Sequence, residues 1–469
     1  MRKLWKFGCL SAFIISIFCL LFNNDNSYDF IFLLPFFYSI LGFIYFVSIH
    51  KIKTYNLDFV YTIAQVLIYI RYVLTPFFTV FSSYFTSWGW GPDPSRKDIT
   101  IAILLMCIEE CLIFITYYST IRRFSVKTKK IISKQSHELS KEKFWLILIY
   151  AVFALTIVLM FKPVLLIRDS YFIYTNVTTN ASSDEVALSG MYTILAKTFK
   201  IVFLLVGLII CKRGYDRKNN SIFLVFAILA VVLNMALNTS GTRILMLFSL
   251  ILGIYFLHYI FGKIPKIFYI AGGAVFLVSF ISVSLVKFGW RIDDSSNAVK
   301  QLITVIMGQF QDYFAGPRLV AQMINVRRQY GDLINITTFF NDFLGSVPYL
   351  SNYIDQTNRI NYYFNIYCGT LNQTLIAPIL GIGYCYLPIF PFFLTIMFEC
   401  FVIKLDFLMR TTVSVKFKYL YAYMGIICAM CMGYSTQNIY AEFVSTYIPL
   451  LVLFKVNDKL CLIKRKPNN

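Results

Sequence analysis

Apolar residues run in long blocks along this chain, separated by short polar segments rich in lysine and arginine. Runs of roughly 17–25 apolar residues match the length a helix needs to cross a bilayer's hydrocarbon core. Twelve such runs are expected as spans, near 7–22, 30–49, 57–80, 99–118, 144–164, 190–210, 221–238, 244–260, 267–287, 384–403, 419–436 and 441–455. The predicted fold class is therefore all-α: a polytopic membrane protein of about 12 transmembrane helices with one large extracytoplasmic loop containing surface helices. That loop is the one stretch that breaks the pattern. Residues 288–374 are mostly polar, and the Gly/Pro-rich segment Ala377–Tyr384 closes them. The chain then divides into 1–287 with nine spans, the loop 288–383, and 384–469 with three more spans and a basic tail. Connections are usually a few residues long, and much longer ones tend to be functional. Val299, Leu302, Ile303, Ile306 and Phe310 fall at helical spacing, so one or two helices are expected along the outer surface over 297–330.

Composition agrees with the pattern. The chain is 58% hydrophobic and 14% charged, against roughly 25% charged in a soluble domain. A net charge of +20 could point to nucleic acid, but its placement points elsewhere. With Met1 inside, 28 of the 43 basic residues fall in the inward-facing segments, together with only six acids. The excess charge is a topology signal: both termini are expected in the cytoplasm, the long loop outside, and nucleic acid is not expected as a partner. The basic, apolar N-terminus lacks a small-residue cleavage signature and reads as a first span. Cys9, Cys19, Cys107, Cys111, Cys428 and Cys431 lie within spans without metal-ligand spacing and read as small buried hydrophobes. Cys368 stands apart, in the loop. Asn-X-Ser/Thr sequons at Asn176, Asn238, Asn335 and Asn372 are attributed to chance in an Asn-rich chain.

Ionisable groups inside spans are costly and usually face protein or water. Arg71 and the pair Glu109–Glu110 each fall about ten residues from the outer end of their runs, or ~15 Å deep. An Arg71–Glu109 or Arg71–Glu110 pair is expected, either locking two spans or lining a cavity. Lys197 and Lys200 share one helical face and either snorkel to the interface or meet substrate. With Arg243, Arg291 and Arg318 they place fixed positive charge outside, where topology disfavours it. Arginine's planar fork suits phosphate, and Arg243 follows Ser240-Gly241-Thr242 at a helix start, where amide groups favour anions; an interfacial anchor is the alternative. There is no GxxxxGK[ST] loop, HExxH or paired Cys/His site, so no metal or other cofactor is implied. Asp293-Asp294 reads as solvated loop charge. All three histidines, His50, His137 and His258, fall near the inner side, so an outer base must come from Asp312, Asp342 or Glu442. Arg327, Arg328, Trp290 and Tyr313 are further candidates for substrate contact.

The spans, the Gly241-Thr-Arg243 turn, the outer loop with Gly316-Pro-Arg318 and Ile379-Leu-Gly-Ile-Gly-Tyr-Cys-Tyr386 together resemble the Wzy-type O-antigen or capsular repeat-unit polymerases. The resemblance implies a membrane glycosyltransferase of the bacterial cytoplasmic membrane, working on undecaprenyl-pyrophosphate-linked oligosaccharides at the outer face. A chain-length regulator and a flippase of the same pathway are the implied partners, beside the lipid bilayer. It also implies that Arg243, Arg291 and Arg318 bind pyrophosphate. Related O-antigen ligases carry an outer-loop histidine that this chain lacks. A ligase-like transferase and a lipid-linked glycan flippase stand as alternatives.

Overall fold

The computed structural model describes residues 2–50, 59–83, 85, 90–128, 144–166, 183–238, 243–262, 264–274, 277–278, 308, 310–347, 350–370, 375–433 and 436–463. Every regular element among them is helical. Seven helices are long and apolar enough to cross a membrane: Trp5–Phe22, Asn26–Ser48, Phe59–Ser82, Arg96–Phe124, Gly190–Lys218, Val415–Met432 and Thr436–Leu460. Trp145–Phe161, Ile222–Leu237 and Leu247–Phe261 are shorter apolar helices. Their outward faces are greasy. Ile149, Val152, Phe153 and Met160 on one, and Val225, Phe226, Leu229 and Val232 on another, are exposed. A continuous apolar surface of this kind suits lipid and would be a liability in water. Most of the expected span 267–287 lies outside the described residues.

The helices form two groups. Arg2–Phe22, Leu33–His50, Phe59–Ser82, Arg96–Thr128, Phe393–Thr411 and Val415–Ala429 pack on one another. Trp145–Phe161, Ser183–Lys218, Ile222–Leu237 and Arg243–Phe261 form the second group, joined to the first mainly through Val415–Ala429 and Ile448–Ile463.

Two spans are interrupted by a wide π-type turn, at Ile70–Leu74 and at Phe443–Tyr447. Each is followed two residues later by a proline, Pro76 or Pro449. Proline offers no N–H and its ring crowds the carbonyl four residues back. The wider turn moves that carbonyl aside, and such bulges often mark functional positions. Arg71 sits inside the first bulge, and Glu442 directly precedes the second.

Two expectations need correction. The run 384–403 is not one helix: Ile379–Tyr386 ends, the chain turns through Pro388 and Pro391, and Phe393–Thr411 follows. At Gly383 a β-carbon would lie 1.9 Å from Pro391 O, so only glycine allows this return. The second concerns Pro317–Tyr330, expected along the outer surface. It is buried over most of its length, packed among Arg96–Thr128, Ile360–Tyr367 and Ile379–Tyr386. A β-carbon at Gly381 would lie 2.4 Å from Met323 Cβ, and that missing side chain lets the two helices touch. Residues 299–306 of the same stretch lie outside the described residues.

Candidate functional site

Two buried arginines organise the polar interior of the first helix group. Arg71 and Glu109 lie on facing spans, eleven residues from Ser82 and thirteen from Arg96 at the nearby helix ends, or roughly 16–20 Å along the axis. Arg71 Nη2 reaches Glu109 Oε2 at 2.8 Å, and both residues are fully buried. Glu109 also accepts from the Tyr72 hydroxyl at 2.7 Å and from Thr395 Oγ1 at 2.6 Å. The expected pair therefore exists and is tied to a third helix, Phe393–Thr411. That helix adds Glu399, which accepts from the Tyr117 hydroxyl and, at 3.7 Å, from Cys431 Sγ. Glu110 is fully buried, and neither of its oxygens has a hydrogen-bond partner. Arg71 Nε and Nη1 are unpartnered too.

Arg318 sits nearer the start of Arg96–Thr128, in the first turn of the helix Pro317–Tyr330. The local sequence explains the geometry. Ala315 adopts a left-handed φ of 51°, Gly316 N–H donates back to Gln311 O at 2.8 Å, and Pro317 starts the helix at the position where its fixed φ suits. Gly316 supplies no side-chain cap at this buried helix start. Arg318 is 2% exposed; its Nη2 donates to Asp93 Oδ1 at 2.7 Å and, at 3.4 Å, to Gly91 O. Nε and Nη1 have no partner. Asp93, by contrast, is 71% exposed. Gln322 fixes the turn that carries it, donating to Trp90 O at 2.8 Å and Pro92 O at 3.3 Å. Gly91, at φ +72°, leaves just enough room: a β-carbon there would meet Cys368 Cα at 2.9 Å. The turn at 90–94 is thus the seat for Arg318. Cys368 lines the same place, and burial pushes its thiol up to about 12. Such a thiol is unreactive at neutral pH.

Among the other candidates, Asp342 is buried and accepts from Gln437 Nε2 (2.6 Å), Arg359 Nε (3.4 Å), the Ile360 N–H (3.4 Å) and the Tyr386 hydroxyl. Burial pushes its carboxyl above the usual range, while the Tyr386 hydroxyl and Arg359 pull the other way. Glu442 and Lys197, proposed separately, meet at 2.6 Å; Tyr423 and Thr446 also donate to Glu442, both at 2.9 Å. Lys200 is buried one turn on. Arg328 pairs with Asp98 at 2.8 Å, and Ser95 and Asp98 cap the start of Arg96–Thr128. Arg327 donates to Gly331 O at 3.1 Å, at the end of its own helix. Asp312 and Tyr313 belong to the turn before Arg318, and a β-carbon at Gly433 would lie 2.5 Å from Tyr313 O. Segment 433–442 thus gathers Tyr313, Asp342 through Gln437, and Lys197 through Glu442. Arg291 and Trp290 lie outside the described residues, as does the side chain of Arg243, whose backbone opens the helix Arg243–Phe261.

Sequence reading passed over Asp93, Gln311, Arg359 and Glu399. A signal existed for Glu399, an acid inside an apolar run. None existed for Gln311, an ordinary polar residue in a loop, or for Asp93, which is more than 200 residues from its partner. Set against family models, curated proteins and solved structures, the chain has no match.

Proposed function

We propose that this chain is a membrane glycosyltransferase that polymerises oligosaccharide repeat units carried on undecaprenyl pyrophosphate, at the outer face of the bacterial cytoplasmic membrane. Twelve spans and an outward 288–383 loop belong to this reading; the three shorter apolar helices bring the seven long ones to ten, and Phe393–Thr411 and the 267–287 run are taken as the other two. The observation that carries it is Arg318. Its guanidinium is buried at an uncapped helix start with two N–H donors free and its one carboxylate partner exposed. Such a site favours an anion over water, because amide dipoles and arginine act together in a low dielectric. Pyrophosphate is a good leaving group, so holding and stabilising its charge is the main catalytic demand. No metal need be invoked for that. Asp312, in the turn beside Arg318, is the carboxylate best placed to meet an acceptor hydroxyl. Arg243 and Arg291 are proposed as further pyrophosphate ligands.

The test is Arg318→Met in cells lacking the chromosomal copy. Surface glycan should fall to single repeat units while the protein stays at its normal membrane level. Normal ladder lengths would contradict the assignment.

A second reading, export of a lipid-linked glycan, is favoured by the buried charges Arg71, Glu109, Glu110 and Glu399, since intramembrane ionisable groups often mark transport paths. Reconstituted vesicles separate the two. Transport predicts movement of labelled lipid-linked glycan across the bilayer; polymerisation predicts longer glycans and no such movement.

A further inference from the structure

In the long loop, the helix Ile336–Leu344 is built inside out. Asn335 starts it with a capping box: its side chain accepts from the Thr337 and Thr338 N–H groups, and its own N–H donates to Thr338 Oγ1. Helical spacing then sorts the residues onto two faces. Thr338, Asn341 and Asp342 are buried, whereas Ile336, Phe340 and Phe343 are exposed. The polar face points into the protein and finds its partners there. Thr338 donates to Asn358 Oδ1 at 2.7 Å, Asn341 donates to Asn358 O at 3.2 Å, and Asp342 accepts from Gln437 at 2.6 Å. A surface helix in water shows the reverse arrangement. Elsewhere in the loop the surface is ordinary: Asp355 and Thr357 form an exposed polar turn.

The apolar face continues onto a span. The Phe343 and Tyr440 rings meet edge to face, 5.0 Å between centroids. Tyr440 belongs to the span Thr436–Leu460, whose Phe443, Val452 and Val456 are exposed, as a lipid-facing side requires. On the other flank Phe339 meets Tyr386 at 5.2 Å, next to the exposed turn at 387–390 with its Leu387, Ile389 and Phe390. Tyr440 lies four residues in from Thr436, or roughly 6 Å along the helix axis. Interfacial amphipathic helices bury their apolar face about 5–10 Å into the boundary between headgroups and acyl chains. Tyrosine favours that same level.

We propose that Ile336–Leu344 lies in the plane of the membrane interface, with Ile336, Phe340 and Phe343 seated among the upper acyl chains of the leaflet on its own side. A second copy of this chain is the competing occupant of such a face. Continuity with the exposed side of the span on one flank and with the apolar turn on the other favours lipid. The proposal does not depend on the glycosyltransferase reading. Asp342 hangs from the same helix and reaches Gln437 on the span, so lipid contact on one face sets the depth of the loop on the other.

The test uses the full-length chain in phosphatidylcholine nanodiscs doped with a phospholipid carrying a diazirine in its upper acyl chain. After irradiation and digestion, mass spectrometry should find adducts on Ile336, Phe340 and Phe343 at yields comparable to Phe443, and none around Asp355. Phe340→Trp keeps the face apolar and adds a reporter. Lipid brominated in the upper acyl chain should quench more than half of the added emission, and aqueous iodide almost none. Adducts on Phe443 with none on 336–343, or quenching by iodide in place of brominated lipid, overturns the proposal. Two chains per nanodisc with 336–343 unlabelled would give the face to a second copy and overturn it as well.

Discussion

Arg71 and Arg318 are built alike and placed differently. Each is buried, each engages one carboxylate through Nη2 (2.8 and 2.7 Å), and each leaves Nε and Nη1 without a partner. The carboxylates differ. Glu109 is fully buried and held by Tyr72 and Thr395 from two helices, whereas Asp93 is exposed on a turn. The first pair cannot part without stranding two charges in the membrane interior. The second can part from one side only: Asp93 is already solvated, but the buried Arg318 guanidinium needs another anion in the carboxylate's place. A buried arginine is a lock when its acid is buried with it, and a binding group when its acid faces water.

Breaking the lock should have the largest effect. Arg71→Met leaves Glu109 without its cation, so stability should fall by about 3–5 kcal/mol, seen as loss of the chain from purified membranes and early thermal unfolding in detergent. Arg318→Met should cost far less stability but reduce polymer formation on the order of 100-fold, as loss of a charge-stabilising donor does. Arg318→Lys keeps the charge and loses the fork, and should restore polymer only in part; full restoration would mean that charge alone matters. Asp93→Asn removes the competing carboxylate and leaves the buried guanidinium uncompensated, so phosphate binding should tighten. Weaker binding would make Asp93 a contributor to the site. The smallest effect is chemical. Cys368, its thiol pushed up to about 12 by burial, should stay unmodified by N-ethylmaleimide at pH 7.5 in the folded protein, read by mass spectrometry of its peptide. Rapid labelling would show the Arg318 site open to solvent.

Much of the lock was legible in the sequence and much of the Arg318 site was not. Arg71 and Glu109 announce themselves as charges in apolar runs, and helical rise puts them at one depth. Pro76 and Pro449 were equally visible, but their consequence, a π-type turn beside Arg71 and after Glu442, depends on how neighbours fill the freed space. Arg318 was singled out as a misplaced positive charge; its burial was not foreseen. Its helix reads Pro317-Arg-Leu-Val-Ala-Gln-Met-Ile-Asn-Val-Arg-Arg, polar enough for a surface. Burial follows from tertiary partners, Asp98 on Arg328 and Gly381 against Met323. Asp342 illustrates the converse. It was read as a candidate outer base, and it is enclosed by Gln437, Tyr386, Arg359 and the Ile360 N–H.

The distinction between the two arginines is tested most directly by thermal unfolding of the full-length chain in nanodiscs, with and without saturating pyrophosphate. At a hundredfold excess over its dissociation constant, a ligand bound only to the folded state adds about 2.7 kcal/mol. Wild type and Asp93→Asn should melt several degrees higher with pyrophosphate present, and Arg318→Met should melt at the same temperature either way. An equal pyrophosphate shift in Arg318→Met would contradict the account.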